Sequence, residues 1–322
     1  MARWEWFSRT CQWLLTRLHA ITRRRTISRL TSSSSIVETS QETFWENLQR
    51  DVYCIGEYDL HDPLRRETGV DWPEWHLNID ENGNAIKIAE SLQQDFKKLK
   101  LSSSIVGQTR TIEETFLESM PNDYNWNDIR KLFKQARQED NPLVIMRALT
   151  RSQQFTECLN KHSAANSYHL LKLYCTVVNC PILARTQEYT EAITTILFHP
   201  KLDEFLVRKK TVYRGIILKD KKYAANYKEG ATIITTTFLF TSTEQNVSYS
   251  FCEGFRDMIS IFCTYNISNT CRHTALDFGK ISDFTDDREV LILRYVPFII
   301  RSVQQTEDGR KMQVYFDESP EH

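Results

Sequence analysis

The feature that most constrains the fold is a change of sequence pattern near Pro200. Before this proline, apolar residues recur at the spacing of α-helices, over 125–138, 148–160, 167–178 and 186–198. After it, segments rich in Ile, Val, Thr, Phe and Tyr predict strands, over 211–217, 233–241, 258–265, 288–296, 298–304 and 311–316. A block of helices followed by a run of strands indicates an α+β fold, because parallel βαβ units would alternate the two.

The first 30 of the 322 residues differ in charge from the rest of the chain. They contain seven Arg and one Glu, whereas the whole sequence has a net charge of −1. Residues 4–21 also place apolar side chains at helical spacing. We expect a basic amphipathic leader over 1–30 that contacts a membrane surface, with a mitochondrial presequence or a helix packed on the body as alternatives. The near-neutral balance of the whole chain predicts no nucleic-acid partner.

The next part of the chain has weaker signals. Four consecutive serines predict a linker over 31–40, and 41–119 is a small region of unknown role. Within that region Asn82-Gly83 predicts a hairpin turn, and 86–99 has a helical pattern. We expect no chemistry from these residues.

Cysteine usage and hydropathy bear on metal sites and location. None of the eight cysteines stands in a Cys-x-x-Cys pair, so no metal site is predicted. No apolar run reaches the ~18 residues of a membrane span, and no signal-peptide core is visible. The expected location is intracellular and cytoplasmic, with membrane-surface or mitochondrial targeting by the leader as the alternative.

The first motif whose residues could take part in a reaction is Thr211-Val212-Tyr213-Arg214-Gly215. An arginine within an apolar strand needs a carboxylate or a phosphate as its partner. The glycine beside it permits a ligand to approach the backbone closely. Taken alone, the motif is better explained by a structural ion pair.

The second motif, Phe240-Thr241-Ser242-Thr243-Glu244, ends a predicted strand. Hydroxyl groups clustered at a strand end can hydrogen-bond a sugar or a neighbouring carboxylate. The alternative is a helix N-cap, because 247–255 has a helical pattern.

The third motif covers residues 284–293 and contains Asp287 and Glu289. In a strand these two carboxylates point to the same face, where one can stabilise a cation while the other handles a second substrate. The alternative is a solvated turn that precedes a buried strand.

In order and spacing, the three motifs together resemble the arginine-specific mono-ADP-ribosyltransferases. That class reads Tyr-Arg-Gly, then Phe-x-Ser-Thr-Ser, then Glu-x-Glu-Val-Leu. The matching strings here are Tyr213-Arg214-Gly215, Phe240-Thr241-Ser242-Thr243-Glu244 and Asp287-Arg288-Glu289-Val290-Leu291, and the flanking Ile281-Ser282-x-Phe284 is also similar. The sequence departs from the class at Glu244, in place of the last Ser, and at Asp287, in place of the first Glu.

The resemblance covers a domain at 120–316, followed by a short tail at 317–322. It implies a helical lead-in and a mostly antiparallel split β-sheet. The implied activity is transfer of ADP-ribose from NAD⁺ to an arginine side chain of an acceptor protein, with release of nicotinamide. NAD⁺ is then a substrate, with no bound cofactor and no metal.

The resemblance also implies roles for individual residues. Glu289 stabilises the ribose cation and holds the ribose 2′-hydroxyl, Ser242 contacts the ribose and orients Glu289, and Asp287 receives the acceptor. The residues expected to bind NAD⁺ are Tyr213, Arg214 (at the pyrophosphate), Gly215, Ser242, Thr243 and Phe251 (at the nicotinamide). The alternatives are an NAD⁺ glycohydrolase on the same fold, which uses water as acceptor, and a catalytically weak NAD-binding module.

Overall fold

The structure is a computed structural model that describes residues 75–77, 84–99, 104–170, 181–218, 224, 227–252, 259–268, 271–282 and 288–320. The predicted leader at 1–30 and linker at 31–40 lie outside the described residues, as does the acidic segment 283–287. The contact of residues 4–21 with a membrane therefore stays a prediction. The domain boundary near residue 119 stays a prediction as well. Among the described helices, none is both long and apolar enough to span a bilayer.

The first half of the described chain is helical, as the sequence predicts. Its six α-helices are α1 (Asn84–Leu99), α2 (Val106–Thr115), α3 (Tyr124–Glu139), α4 (Pro142–Arg151), α5 (Gln153–Leu170) and α6 (Pro181–Leu197). The start of α3 is fixed by the side chain of Asp123, which accepts a hydrogen bond from the backbone N–H of Trp126. Asn141 caps α4 in the same way, and Pro142 occupies its first turn.

Two local predictions for this half are wrong. The predicted helix over 148–160 is two helices, because Ser152 is extended and its hydroxyl accepts a hydrogen bond from the N–H of Phe155. The chain after Asn82-Gly83 enters α1 and not a hairpin strand. The short strand before it, β1 (Trp75–Leu77), pairs instead with a strand more than 150 residues away, at Thr235.

The described residues form a nine-stranded sheet in the order β1-β3-β8-β9-β5-β2-β4-β7-β6. Its remaining strands are β2 (Lys210–Leu218), β3 (Thr232–Thr235), β4 (Leu239–Ser242), β5 (Ile259–Ile267), β6 (Ala275–Asp277), β7 (Glu289–Ile292), β8 (Pro297–Gln305) and β9 (Lys311–Glu318). Neighbours are antiparallel except β5 and β9, which run parallel. The predicted α+β class, with a helical lead-in and a mostly antiparallel sheet, is confirmed.

The predicted strand over 233–241 is two strands with different neighbours. β3 pairs with β1 and β8, whereas β4 pairs with β2 and β7. Asn160 of α5 stabilises the turn between them, because its amide side chain donates to the carbonyl of Phe238 and accepts from the N–H of the same residue. Ser167 of α5 donates to the carbonyl of Thr236. The break therefore depends on polar groups of a distant helix, which no local pattern reveals.

The sheet is nearly divided between β2 and β4. In the described part of the chain these two strands pair only at Tyr213 and Ser242. On its other edge β2 pairs with β5 from Lys210 to Leu218, which is its whole length. Because β4 ends at Ser242 and its residues before Ser242 do not pair with β2, the sheet is split at this position.

Two clusters of buried apolar residues lie on the two faces of the sheet. One joins the helices to residues of β7 and the turn before β4, and it includes Ile112 of α2, Phe133 of α3 and Leu291 of β7. The other lies among the strands and includes Ile261 and Val314. Residues of α1 and α2 belong to the first cluster, so the chain from residue 84 onward packs with the helices that follow residue 119.

Arg294, just after β7, lies wholly buried beneath the helices. Its guanidinium donates to the carbonyl of Ser163 at 3.0 Å, to the hydroxyl of Ser167 at 2.9 Å and to the hydroxyl of Thr194 at 3.3 Å. It also lies 4.7 Å from the ring centroid of Tyr295. No carboxylate is paired with it among the described residues, and burial lowers the pKa of Arg294 from its ordinary value.

We predict that Arg294→Met lowers the free energy of unfolding by about 2–4 kcal/mol, because it removes three hydrogen bonds to a charged donor and leaves buried acceptors unpaired. The matched control is Arg301→Met on β8, whose guanidinium is half-exposed and paired with Asp317. It should cost under about 1 kcal/mol. Urea unfolding measures both. Equal losses in the two variants would contradict a role for Arg294 in joining the sheet to the helices.

Candidate active site

The three sequence motifs meet where the sheet is split. Tyr213 of β2 is the cross-strand partner of Ser242 at the end of β4, and Ser242 is the partner of Glu289 at the start of β7. Cross-strand partners project to the same face of a sheet. One row across three strands therefore contains a residue from each motif.

The carboxylate of Glu289 is buried and hydrogen-bonded. The residue is 8% exposed, and its Oε2 accepts a hydrogen bond from the hydroxyl of Ser282 at 2.6 Å. Its backbone carbonyl accepts from the N–H of Phe278 at 2.8 Å, which ties the start of β7 to the end of β6. Burying a carboxylate is costly unless such bonds compensate it, so Ser282 helps to keep this charge at the split.

Ser242 ends β4 and begins the turn into helix α7 (Gln245–Ser250). It is 4% exposed, and its hydroxyl accepts a hydrogen bond from the N–H of Glu244 at 3.0 Å. The sequence offered a helix N-cap as the alternative; the N-cap residue of α7 is Glu244, whose side chain makes no capping hydrogen bond. The position of Ser242 in register with Glu289 puts its hydroxyl in the row of candidate residues.

Arg214 connects the two strands that separate at the split. Its Nη1 donates to the carbonyl of Phe240, two residues before Ser242 in β4. A guanidinium directed at a backbone carbonyl keeps its positive charge beside the strand opening. Arg214 is half-buried, and its backbone is held on the other side by Cys263 of β5.

Gly215 allows helix α7 to lie directly on β2. A Cβ at this position would come within 2.2 Å of the carbonyl oxygen of Ser248 and 3.2 Å of the Cβ of Phe251. The sequence predicts that a ligand approaches the backbone here, whereas in the structure α7 occupies this space. Phe251 therefore lies against β2, and it is half-buried.

Tyr213 packs in an aromatic stack on the same side as the helix. Its ring lies 5.7 Å from that of Phe262, which stacks on Tyr249 of α7 at 3.9 Å. These rings hold β2, β5 and α7 together beside the row formed by Tyr213, Ser242 and Glu289. In the structure Tyr213 contributes apolar packing to this stack of rings. Its contact with NAD⁺ stays a prediction.

Glu244, one of the two positions that depart from the family pattern, lies beside Arg288. Glu244 forms an ion pair with Arg288 at 3.0 Å, and both side chains are largely exposed. The N–H of Thr243 donates to the carbonyl of Arg288, which has a positive φ of 43°. Asp287 lies outside the described residues, so its role with the acceptor stays a prediction.

The sequence alone gives no sign of a role for Ser282, which belongs to the string that flanks the third motif. A serine before acidic residues is common, and its partner seven residues later is set by the fold. The structure brings Ser282 to Glu289 through the turn that follows β6. Within the described residues, no group of three His, Cys, Asp or Glu side chains is arranged to bind a metal ion.

Comparisons by sequence find no protein-family model and no curated protein that matches the chain. Comparisons by structure find similar folds. The type III effector XopAI from Xanthomonas axonopodis pv. citri has a TM-score of 0.48 and 14% identity, over 76% of this chain and 95% of that one. The Vis toxin, an ADP-ribosyltransferase from Vibrio splendidus, has a TM-score of 0.40 and 14% identity, over 74% and 91%.

Exoenzyme S from Pseudomonas aeruginosa, in a complex with human 14-3-3 protein beta and bound to carba-NAD, has a TM-score of 0.41 and 14% identity, over 66% of this chain and 88% of that one. Each of these likenesses is one of fold. With TM-scores below 0.5, they do not define a reaction, a substrate or a partner for this chain.

Proposed function

We propose that this protein transfers ADP-ribose from NAD⁺ to an arginine side chain of an acceptor protein. The observation that supports the proposal most is the row Tyr213, Ser242 and Glu289 across β2, β4 and β7 at the split of the sheet. Three segments separated by up to 76 positions in the sequence meet there in the order of the family motifs. The acceptor protein itself is unidentified.

In the proposed reaction the bond between nicotinamide and ribose breaks, and its electron pair leaves with nicotinamide. The ribose carbon becomes cation-like, as in glycoside hydrolysis. A nitrogen of the acceptor guanidinium then forms the new bond to this carbon and loses a proton, which Asp287 accepts or passes to water. NAD⁺ is consumed as a substrate, and no bound cofactor takes part.

Glu289 is the proposed catalytic residue. A negative charge placed where positive charge develops lowers the barrier, and it does so more strongly where water is excluded. The low exposure of Glu289 and its bond from Ser282 support this role. Its carboxylate would also accept a hydrogen bond from the ribose 2′-hydroxyl.

The remaining assignments concern NAD⁺ binding. Arg214 would contact the pyrophosphate, because a planar guanidinium matches phosphate oxygens with two parallel N–H groups. The hydroxyl of Ser242 would contact the ribose, and Phe251 at the end of α7 would lie against the nicotinamide ring. Thr243 would then line the site through its backbone, and the contact of Gly215 with NAD⁺ stays a prediction.

The second candidate function is hydrolysis of NAD⁺, and the identity of residue 287 favours it as a competing reaction. Aspartate is one methylene shorter than the glutamate of the family pattern. A misplacement of ~1 Å can cost on the order of 10² in rate. A guanidinium held less well gives water more opportunity to reach the cation.

Glu289→Gln should reduce nicotinamide release by at least about 10²–10³-fold, because the change keeps the shape and removes the charge. The control is Glu229→Gln, an exposed glutamate that accepts a hydrogen bond from the N–H of Val303 on β8. It should keep activity within about threefold. Nicotinamide release from labelled NAD⁺ measures both. Turnover by Glu289→Gln within a few-fold of the parent would refute the catalytic assignment.

Arg214→Lys should weaken NAD⁺ binding by about tenfold or more, because lysine keeps the charge but loses the paired N–H groups. The control, Arg301→Lys, alters an exposed ion pair on β8. Calorimetric titration with NAD⁺ gives the affinity, and a thermal melt of each variant shows whether it is folded. A folded Arg214→Lys variant with parental affinity would contradict the assignment.

Asp287→Glu should raise transfer to a small guanidino acceptor relative to hydrolysis, because the longer side chain restores the reach of the family pattern. Asp287→Ala should lower transfer while hydrolysis continues. The measurement is the ratio of ADP-ribosylated acceptor to free ADP-ribose. Modification of asparagine, cysteine or serine with no reaction at guanidino compounds would overturn the arginine assignment alone.

A further inference from the structure

We propose that Ser282 is a positioning residue for the reaction: its hydroxyl fixes the orientation of the Glu289 carboxylate. The inference rests on the proposed function, because it gives Ser282 a role through the proposed catalytic residue. It is carried by the 2.6 Å hydrogen bond between the Ser282 hydroxyl and Oε2 of Glu289.

The direction of this bond is set by the chemistry of the two groups. An ionised carboxylate can only accept, so the hydroxyl of Ser282 donates. A hydrogen bond to a charged acceptor is roughly twice as strong as one between neutral groups. Ser282 is 4% exposed and Glu289 8%, so little water competes for either partner.

Ser282 is held rigidly by the turn that contains it. Its N–H donates to the carbonyl of Phe278 at 2.8 Å, and the N–H of Phe278 donates to the carbonyl of Glu289 at 2.8 Å. Phe278 is wholly buried in the core shared with the helices. Together with the side-chain bond, these contacts form a closed ring between the turn and the first residue of β7.

This ring determines where both carboxylate oxygens lie. The last torsion of a glutamate side chain is broad, so an unanchored carboxylate rotates. Fixing Oε2 at Ser282 also fixes Oε1 relative to the strand opening. Since an electrostatic stabiliser acts best when it needs no reorganisation during the reaction, Ser282 should affect the chemical step more than NAD⁺ binding.

Charged groups on the neighbouring elements have partners of their own. Lys210 of β2 is paired with Asp277 of β6 at 2.9 Å, and Arg288 is paired with Glu244 after β4. Arg214 of β2 donates to the carbonyl of Phe240. Ser282 donates to Oε2 and is itself uncharged, so this bond orients the carboxylate without removing its charge.

The test begins with Ser282→Ala in the full-length protein. The kcat for nicotinamide release should fall about 10–100-fold, as expected for loss of a hydrogen bond to a charged group. The KM for NAD⁺ should change by less than about threefold, because an interaction used in the transition state lowers kcat and leaves ground-state binding intact. Ser282→Thr, which keeps a hydroxyl, should recover most of the lost kcat.

The matched control is Thr235→Val. The hydroxyl of Thr235 is wholly buried and donates to the carbonyl of Leu293 just after β7, at 2.8 Å. This variant also loses a buried hydroxyl bound to the same segment, but the lost bond does not reach the carboxylate. It should lower the melting temperature at least as much as Ser282→Ala and keep kcat within about threefold.

A second comparison separates an effect of Ser282 on Glu289 from a general loss of folded structure. If Ser282 acts through Glu289, Ser282→Ala should cost less than about threefold in kcat when Glu289 is already replaced by Asp, because two residues that act as a unit are not additive. The full 10–100-fold loss in that background would overturn the inference. So would a Thr235→Val variant that loses kcat as severely as Ser282→Ala.

The same measurements distinguish failure of the proposed function from failure of the role proposed for Ser282. A parent that releases no nicotinamide from NAD⁺ overturns the proposed function and this inference with it. An active parent whose Ser282→Ala variant keeps the parental kcat overturns the inference alone.

Discussion

In the described sheet, β2 and β4 are joined by one strand pairing, that of Tyr213 with Ser242. β2 is bound to β5 along its whole length, and β4 is bound to β7, so each strand is stable on its outer side. Between them the strands separate, and backbone groups at a separation need other partners. Arg214 supplies one of these by donating to the carbonyl of Phe240. The residue proposed to bind a phosphate therefore also satisfies the backbone that the opening exposes.

The helical layer determines where the strands beside this opening can lie. Asn160 and Ser167 of α5 hold the turn that leads into β4, and Arg294 attaches the chain after β7 to α5 and α6. These contacts are polar and directional, so they specify a position more narrowly than apolar packing alone. β4 and β7, the strand that carries the candidate carboxylate, are thus both anchored to α5.

The fold class and the three motifs could be predicted from the sequence, whereas the contacts that join distant segments could not. The class followed from periodicity, which persists over whole elements, and the three motifs were recognisable because their order is preserved. The division of 233–241 into two strands could not be predicted, because it depends on Asn160, some 78 positions away. The partnership of Ser282 with Glu289 was equally hidden, since it requires the turn after β6 to fold back. Gly215 was singled out correctly, but the group that approaches it closely is the carbonyl of Ser248 in α7.

The position of β9 in the middle of the sheet determines when the sheet can be completed during translation. β9 lies between β5 and β8, and it is parallel to β5, so residues 311–318 join two groups of strands that pair with each other nowhere else in the described sheet. On the ribosome, every other strand of the described sheet emerges before this one. Until it does, β5 and β8 each present an unpaired edge that can recruit strands from neighbouring chains. A message that stops translation before codon 311 would therefore yield a product whose helical half can pack but whose sheet stays open and prone to aggregate.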